Sequence, residues 1–283
     1  MNLSQKSQLI NNITRFGLDS RIGKALLSVK GTSHRMGERI SIKPGHSPVI
    51  MDFRHYQKGD PIKDIDWKLS ARTERVFLKI REGYRQTNFT IAIDGSESMK
   101  TSYNNAPSKF ITALTIAYIA GRVALKSNDR LYISWHGENI RIDNEYSLID
   151  TLYDIEFEKR IDDFWQSSFE SSANLFIISD FLVESKILTH FLKELSHITK
   201  NLFLLTIHDP YEENFNFQGR YRFLDPESEA SLLAESRDIS AKYHHLYNEH
   251  YKKVSGTGRS FGAKIGRVST EEDPYHAFVK AVS

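Results

Sequence analysis

Asp94, Ser96 and Ser98 place a carboxylate and two hydroxyls at alternate positions of one short segment, Asp94-Gly95-Ser96-Glu97-Ser98. Three hard oxygen donors in that pattern suit Mg²⁺, which takes one or two carboxylates, other oxygens and retained waters around an octahedron. The segment follows Phe89-Thr90-Ile91-Ala92-Ile93, a β-branched run that reads as a buried strand opening into a polar loop. A second apolar run, Asn174-Leu175-Phe176-Ile177-Ile178-Ser179, also ends in a carboxylate, Asp180. Two parallel strands ending side by side would bring Asp94 and Asp180 to one rim of a sheet, where α/β folds place their ligand sites. The competing reading is a strand-end loop whose polar groups cap the next helix. The succession of two strand-end carboxylates favours ligands.

Other chemistry-bearing groups have plainer readings. Asp60, Asp64 and Asp66 lie near Arg54 and Arg72 and could form an acid/base pair or a second metal site. An ion-paired structural knot around a buried Trp67 is the favoured account, because unpaired buried charge is costly. Ser255-Gly256-Thr257-Gly258-Arg259-Ser260-Phe261-Gly262 imitates a nucleotide loop. A helix precedes it and a strand follows, the reverse of the required context, so it reads as a helix-to-strand connector. His244, His245 and His250 share one expected helix without a metal motif and read as solvated positions. Ser96 is not in a nucleophile elbow. No P-loop is present, so ATP hydrolysis by this chain is not expected.

The elements that must position the Asp94 loop follow from periodicity. Strands are expected at 89–94, 130–136, 174–179, 201–208 and 261–268, and helices at 108–127, 147–157, 184–199, 228–253 and 274–282. Strand-helix alternation implies crossover connections and a mostly parallel sheet covered on both faces. Residues 139–143 could add an antiparallel edge strand. Asn128-Asp129 closes the first helix, and Asp273-Pro274 looks like an N-cap with proline at the first helical position. Residues 1–85 read differently. Leu9 to Leu27 has loose helical spacing broken by Gly17 and Gly23, 31–50 has little periodicity, Gly59-Asp60-Pro61 signals a turn, and 75–85 alternates like a strand. The division is a basic, irregular, β-containing region at 1–85 and an α/β domain at 86–283.

The chain has 283 residues, 40% of them hydrophobic, enough to bury a real core. It lacks cysteine, which excludes disulfides, thiolate catalysis and cysteine-ligated zinc. No apolar stretch approaches the roughly 20 residues of a membrane span, and the polar start, Met1 to Lys6, is not a signal peptide. A cytoplasmic protein is expected. The net charge of +2 hides an asymmetry: residues 1–85 carry 17 Lys and Arg against 8 Asp and Glu, and the remainder 21 against 28. The basic segment either meets an acidic partner or nucleic acid, or packs on the acidic domain of its own chain.

Two stretches together resemble a known family: Arg54-His55-Tyr56-Gln57-Lys58-Gly59-Asp60-Pro61-Ile62-Lys63-Asp64-Ile65-Asp66-Trp67-Lys68-Leu69-Ser70-Ala71-Arg72, and Ile93-Asp94-Gly95-Ser96-Glu97-Ser98-Met99. They are similar to the bacterial family called domain of unknown function fifty-eight, with Lys63 where an arginine is usual. The resemblance covers about residues 25–283 and is most specific at 54–99. After that, Ser179-Asp180-Phe181 and Val268-Ser269-Thr270 match weakly. The resemblance implies an α/β fold, a three-layer Rossmann-like von Willebrand factor A-type domain with a mostly parallel sheet, carrying a metal-ion-dependent adhesion site. It assigns the metal to Asp94, Ser96, Ser98 and Asp180, with Mg²⁺ bound and Mn²⁺ able to substitute. It further implies capture of an acidic side chain of a protein partner, and work beside a MoxR-type AAA+ ATPase in complex maturation or stress response. Many relatives carry N-terminal membrane helices; none is expected from the residues of this sequence.

One departure concerns the middle-loop threonine of such sites. Between Trp135 and Asn174 the chain offers Thr151, inside an expected helix, and no Gly-Thr loop. Ser167, Ser168, Ser171 or Ser172 could substitute, or the site is degenerate. The leading expectation is a non-enzymatic interaction module. The alternatives are a metal-dependent hydrolase using Asp94 and Asp180 with the 60–66 cluster, for which no general base is evident, and nucleic-acid binding through the basic segment, for which no recognised motif is present.

Overall fold

The computed structural model describes residues 7–13, 50–73, 75–81, 87–104, 106–135, 137–155, 162–165, 167, 169, 171–228 and 230–282. In chain order the first elements are helix α1 (7–13), β1 (Ile50–His55), α2 (Trp67–Thr73), β2 (Phe77–Arg81), β3 (Asn88–Ile93), α3 (Lys109–Lys126), β4 (Arg130–Trp135) and β5 (Glu138–Ile142). There follow α4 (Glu145–Asp154), α5 (Asp162–Trp165), β6 (Ser172–Ser179), α6 (Ser185–Ile198), β7 (Thr199–His208), α7 (Pro210–Glu213), β8 (Arg220–Leu224), β9 (Ser231–Glu235), α8 (Ser236–Ser260), β10 (Lys264–Ser269) and α9 (Pro274–Val282). The described residues part into two compact units, one within 34–86 and one holding α1 with everything after residue 86.

The larger unit is mixed α/β. Its six-stranded sheet runs in the order β10-β7-β6-β3-β4-β5, parallel throughout except for β5, which pairs antiparallel with β4 at the edge. The apolar runs expected as strands form the centre, where both faces are covered and alternation is lost: β3 is buried from Phe89 onward. One face is covered by α1, α3, α4 and α9, with Phe110, Leu114, Tyr118, Leu148 and Phe278 in its core. The other is covered by α5, α6 and α8, with Trp165, Leu188, Phe191, Leu195 and Val254. Helix α3 is buried almost all round, Lys109 to Ala124, as a helix in the middle of a layer must be.

Most expected boundaries agree within a few residues. Asn128 adopts the left-handed conformation (φ 60°) that ends α3. Asp273 Oδ1 accepts from His276 N at 3.0 Å, capping α9. Two expectations need correction. The helix expected over 228–253 begins only at Ser236. Residues 231–235 are β9, paired with β8 in a hairpin that the short runs on either side of Asp225–Ala230 did not advertise. The Ser255–Gly262 stretch is not a connector through most of its length, because α8 continues to Ser260. Gly258 lets it do so: a Cβ there would lie 2.5 Å from the Ile265 side chain and 2.8 Å from that of Leu204, so the missing side chain permits close helix-sheet approach.

The smaller unit is the β1-β2 antiparallel hairpin with α2. Gly59 takes φ +109° in the turn expected there. Arg54 and Asp60 form a two-pronged ion pair, both contacts 2.7 Å, and Asp60 is held below the usual carboxylate range chiefly by that hydrogen bond. Asp66 Oδ1 caps α2 through Leu69 N at 3.0 Å, and Lys79 lies 3.6 Å from Asp66 Oδ2. These ion pairs agree with a structural knot, but its expected centre does not: Trp67 is 65% exposed and Arg72 is exposed. The knot is tied by side-chain ion pairs and by hydrogen bonds to backbone, not by burial of an indole. Most of Leu9–Leu27 and of the 31–50 stretch lies outside the described residues.

Candidate functional site

Strands β3 and β6 are neighbours, and the chain leaves them toward opposite edges of the sheet, β3 to β4 and β6 to β7. The crevice beyond their carboxyl ends is the point where strand order reverses, the place where open α/β sheets bind ligands. Asp94 and Asp180 both stand there, each the residue after its strand, 2% and 1% exposed. Ser96 and Ser98 are buried beside them, their hydroxyls 3.1 Å apart. All four expected site residues therefore meet at one rim.

Hydrogen bonds lock the loop. Asp94 Oδ1 accepts from Ser96 N at 2.9 Å, and Asp94 Oδ2 accepts from the Ser179 hydroxyl at 2.6 Å. Ser179 Oγ in turn accepts from Phe181 N at 2.7 Å, tying the two strand-end loops together. Phe181 has φ 56°, a left-handed conformation that is a genuine outlier for a bulky residue. It is held by Ser179 on one side and by His250, whose Nε2 lies 2.8 Å from the Phe181 carbonyl, on the other. Tyr251 donates to the Asp180 carbonyl at 2.9 Å. His250 is thus a latch on the site loop and not a solvated position; His245 is exposed as expected. Backbone strain of this kind persists where surrounding structure over-determines it, commonly at functional loops.

Gly95 is required by sterics. The Trp135 ring lies across it, so that a Cβ would sit 2.3 Å from Cη2. Trp135 also packs on Phe110 (centroids 5.7 Å apart) and has little room to yield. Gly95→Ala is expected to cost about 1–3 kcal/mol through overpacking, read as a lowered urea midpoint.

The electrostatics show what periodicity concealed. Lys109, the first residue of α3, is 1% exposed and places its ammonium 2.9 Å from Asp180 Oδ2 and 2.9 Å from Glu212 Oε2. Burial alone would lower the Lys109 pKa, but Asp180 and Glu212 outweigh it and leave the value raised. Thr101 donates to Glu212 Oε1 at 2.9 Å, and burial pushes the Glu212 carboxyl up. Glu227, from the β8-β9 turn, accepts from Ser98 N at 2.7 Å. Asp94 is pushed up to about 7, first by burial and then by the charge of Asp180, against the pull of the Ser179 and Ser96 hydrogen bonds. Lys109, Ser179, Glu212 and Glu227 were all missed from the sequence. Ser179 left a weak signal in the Ser179-Asp180-Phe181 match, and Lys109 left another: a cation in the first turn opposes the helix dipole and asks for a carboxylate partner.

The residues fit a hard divalent cation in donor type and in charge. The donors are oxygens throughout: Asp94, Asp180, Glu212 and Glu227 bring carboxylates to the loop and its surroundings, and of these Asp180 and Glu212 are paired with the ammonium of Lys109. No group of three or more His, Cys, Asp or Glu side chains among the described residues has metal-binding geometry, so the serine hydroxyls and water would have to complete the shell. The proposed substitutes for the middle-loop threonine divide. Ser171 and Ser172 lie at the start of β6, the far end from Asp180; Ser172 Oγ donates to Asn88 O and Ser171 Oγ to Ile198 O, so neither reaches the site. Thr151 is within α4. Ser168 lies outside the described residues. Ser167 sits 3.7 Å from the Cβ position of Gly137, in the β4-β5 turn at the site's end of the sheet.

Residues 52–142 match the model of a family described as "Protein of unknown function DUF58", a span that includes the 54–72 motif, the Asp94 loop and Lys109. That match supports the family resemblance. No curated protein matches the chain.

Proposed function

We propose that this chain is a non-enzymatic protein-interaction module of the von Willebrand factor A type, which captures an acidic side chain of a partner through a Mg²⁺ held by its Asp94 loop. The observation that carries the reading is the convergence of Asp94, Ser96, Ser98 and Asp180 at the switch point of the sheet, with the two serine hydroxyls 3.1 Å apart. Asp94, Ser96 and Ser98 would hold the ion, and Mn²⁺ would substitute. Asp180, whose Oδ2 is engaged by Lys109, would act as the second carboxylate. The ion's contribution is a positive centre for a partner's carboxylate. The chain's own residues fix the loop and keep its oxygens converged. The proposed partner, on family resemblance, is a MoxR-type AAA+ ATPase, with a role in complex maturation or stress response and a cytoplasmic location. No described helix is long and apolar enough to cross a membrane.

Thermal unfolding with EDTA or with Mg²⁺ or Mn²⁺, in wild type and Asp94→Ala, tests the metal. A dissociation constant of about 0.1 mM would add about 2.7 kcal/mol at about 10 mM cation, a rise of several degrees. The rise is expected in wild type and absent in the variant; no rise in wild type would end the metal reading. Pull-down of a MoxR-type AAA+ ATPase by wild type but not by folded Asp94→Ala is the matching partner test.

A further inference from the structure

The same loop already has an acidic side chain on it. Glu227 reaches from the β8-β9 turn and accepts from Ser98 N at 2.7 Å, across 129 positions of sequence. Its second oxygen, Oε2, is buried and has no hydrogen-bond partner among the described residues. A buried carboxylate oxygen without a partner is costly, and such groups ordinarily face a cation or an ordered water.

The turn is built to present this side chain. Asp225 Oδ1 accepts from Glu227 N at 3.0 Å, Asp225 Oδ2 accepts from the Ser228 hydroxyl at 2.6 Å, and Asp225 N donates to Ala230 O at 2.9 Å. The hairpin carrying the turn is lightly attached. Its strands are mostly exposed, with Leu224 69%, Leu232 54% and Leu233 53% accessible. Its inward contact is largely aromatic, Phe223 on Phe215 and on Phe217 with centroids 5.7 and 5.4 Å apart. Little core would be lost if the hairpin swung away, so it belongs to the low-stability end of the structure.

We propose that Glu227 is an internal occupant of the carboxylate position of the Asp94 loop, so that the resting protein is self-capped and admits an acidic partner side chain only when the β8-β9 turn is displaced. This rests on the reading that the loop captures carboxylates. A partner's Asp or Glu would need the Ser98 amide and the same positive centre, so its binding and that of Glu227 exclude each other.

Acetate, a side-chain-sized carboxylate, is the probe. In wild type, Glu227→Ala and Glu227→Gln, the Ser98 backbone amide is followed by ¹⁵N NMR during acetate titration with Mg²⁺ present, and the unfolding midpoint is recorded alongside. The expected result is a saturable Ser98 shift and a raised midpoint in the Glu227 variants, with neither in wild type. Equal response in all three proteins, or none in any, overturns the proposal. Glu227→Gln preserves side-chain size and serves where the alanine variant is unstable. Mn²⁺ binding by electron paramagnetic resonance, in wild type and Asp94→Ala, reports separately on the underlying reading. Asp94-dependent Mn²⁺ binding without selective acetate rescue defeats the capping proposal alone. Selective rescue without Mn²⁺ binding retains the cap and removes the metal.

Discussion

Lys109→Met is expected to lower stability by about 3–5 kcal/mol, the cost of leaving buried charges without their partner. Lys109 is 1% exposed and joins Asp180 and Glu212, each at 2.9 Å, so its removal strands two carboxylates at once. The methionine fills most of the lysine stem's volume, so the loss reports charge and not a cavity. Urea unfolding at neutral pH measures it. Pairing Lys109→Met with Asp180→Asn is expected to recover part of the loss, because the double variant carries one stranded charge fewer. Mg²⁺ is expected to stabilise Lys109→Met more than wild type, since a cation in the crevice would then neutralise groups the ammonium no longer reaches. A loss below about 1 kcal/mol would place Lys109 in the class of surface pairs and contradict its burial.

Asp94→Asn is expected to act in the opposite direction in metal-free buffer. The carboxyl of Asp94 is pushed up to about 7 in the folded protein by burial and by Asp180, against an unfolded value of about 3.9. Below pH 4 both states hold the proton and the group contributes nothing to pH dependence. Between about pH 4 and 7 the folded state holds more protons than the unfolded, so stability falls as pH rises. Above 7 both are ionised and the full penalty stands, up to about 4 kcal/mol for a carboxyl held near 7. Asn keeps the shape and accepts from Ser96 N without the charge. With EDTA present, Asp94→Asn is therefore expected to be more stable than wild type at pH 8, by an amount that shrinks toward zero near pH 4. A bound cation would cancel the penalty in wild type, so the advantage is expected to disappear with Mg²⁺ at pH 8. Urea midpoints across that pH range, with and without Mg²⁺, decide it. An Asn variant less stable than wild type at every pH in EDTA would mean that the Ser179 contact at 2.6 Å outweighs the buried charge.

The sequence by itself determined the strands that end in Asp94 and Asp180, because buried parallel strands are written as continuous apolar runs and both carboxylates follow such runs directly. It also determined the alternation of strands and helices, and hence a mostly parallel sheet with a switch point where the two ends could meet. It did not determine the hairpin of β8 and β9, whose backbone pairing decides the conformation of residues 231–235 against a helical reading. Nor could spacing show that α8 runs on to Ser260: only the closeness of Ile265 and Leu204 explains a glycine at 258. The charges around the loop belong wholly to the tertiary structure. Lys109 begins α3, while Glu212 lies 103 positions later in α7 and Glu227 follows in the β8-β9 turn, and no local period records that these side chains gather around the Asp94 loop. Coulomb interaction and burial depend on distance through space. The sequence could therefore name the loop oxygens, while only the fold revealed the ammonium and the carboxylates that surround them.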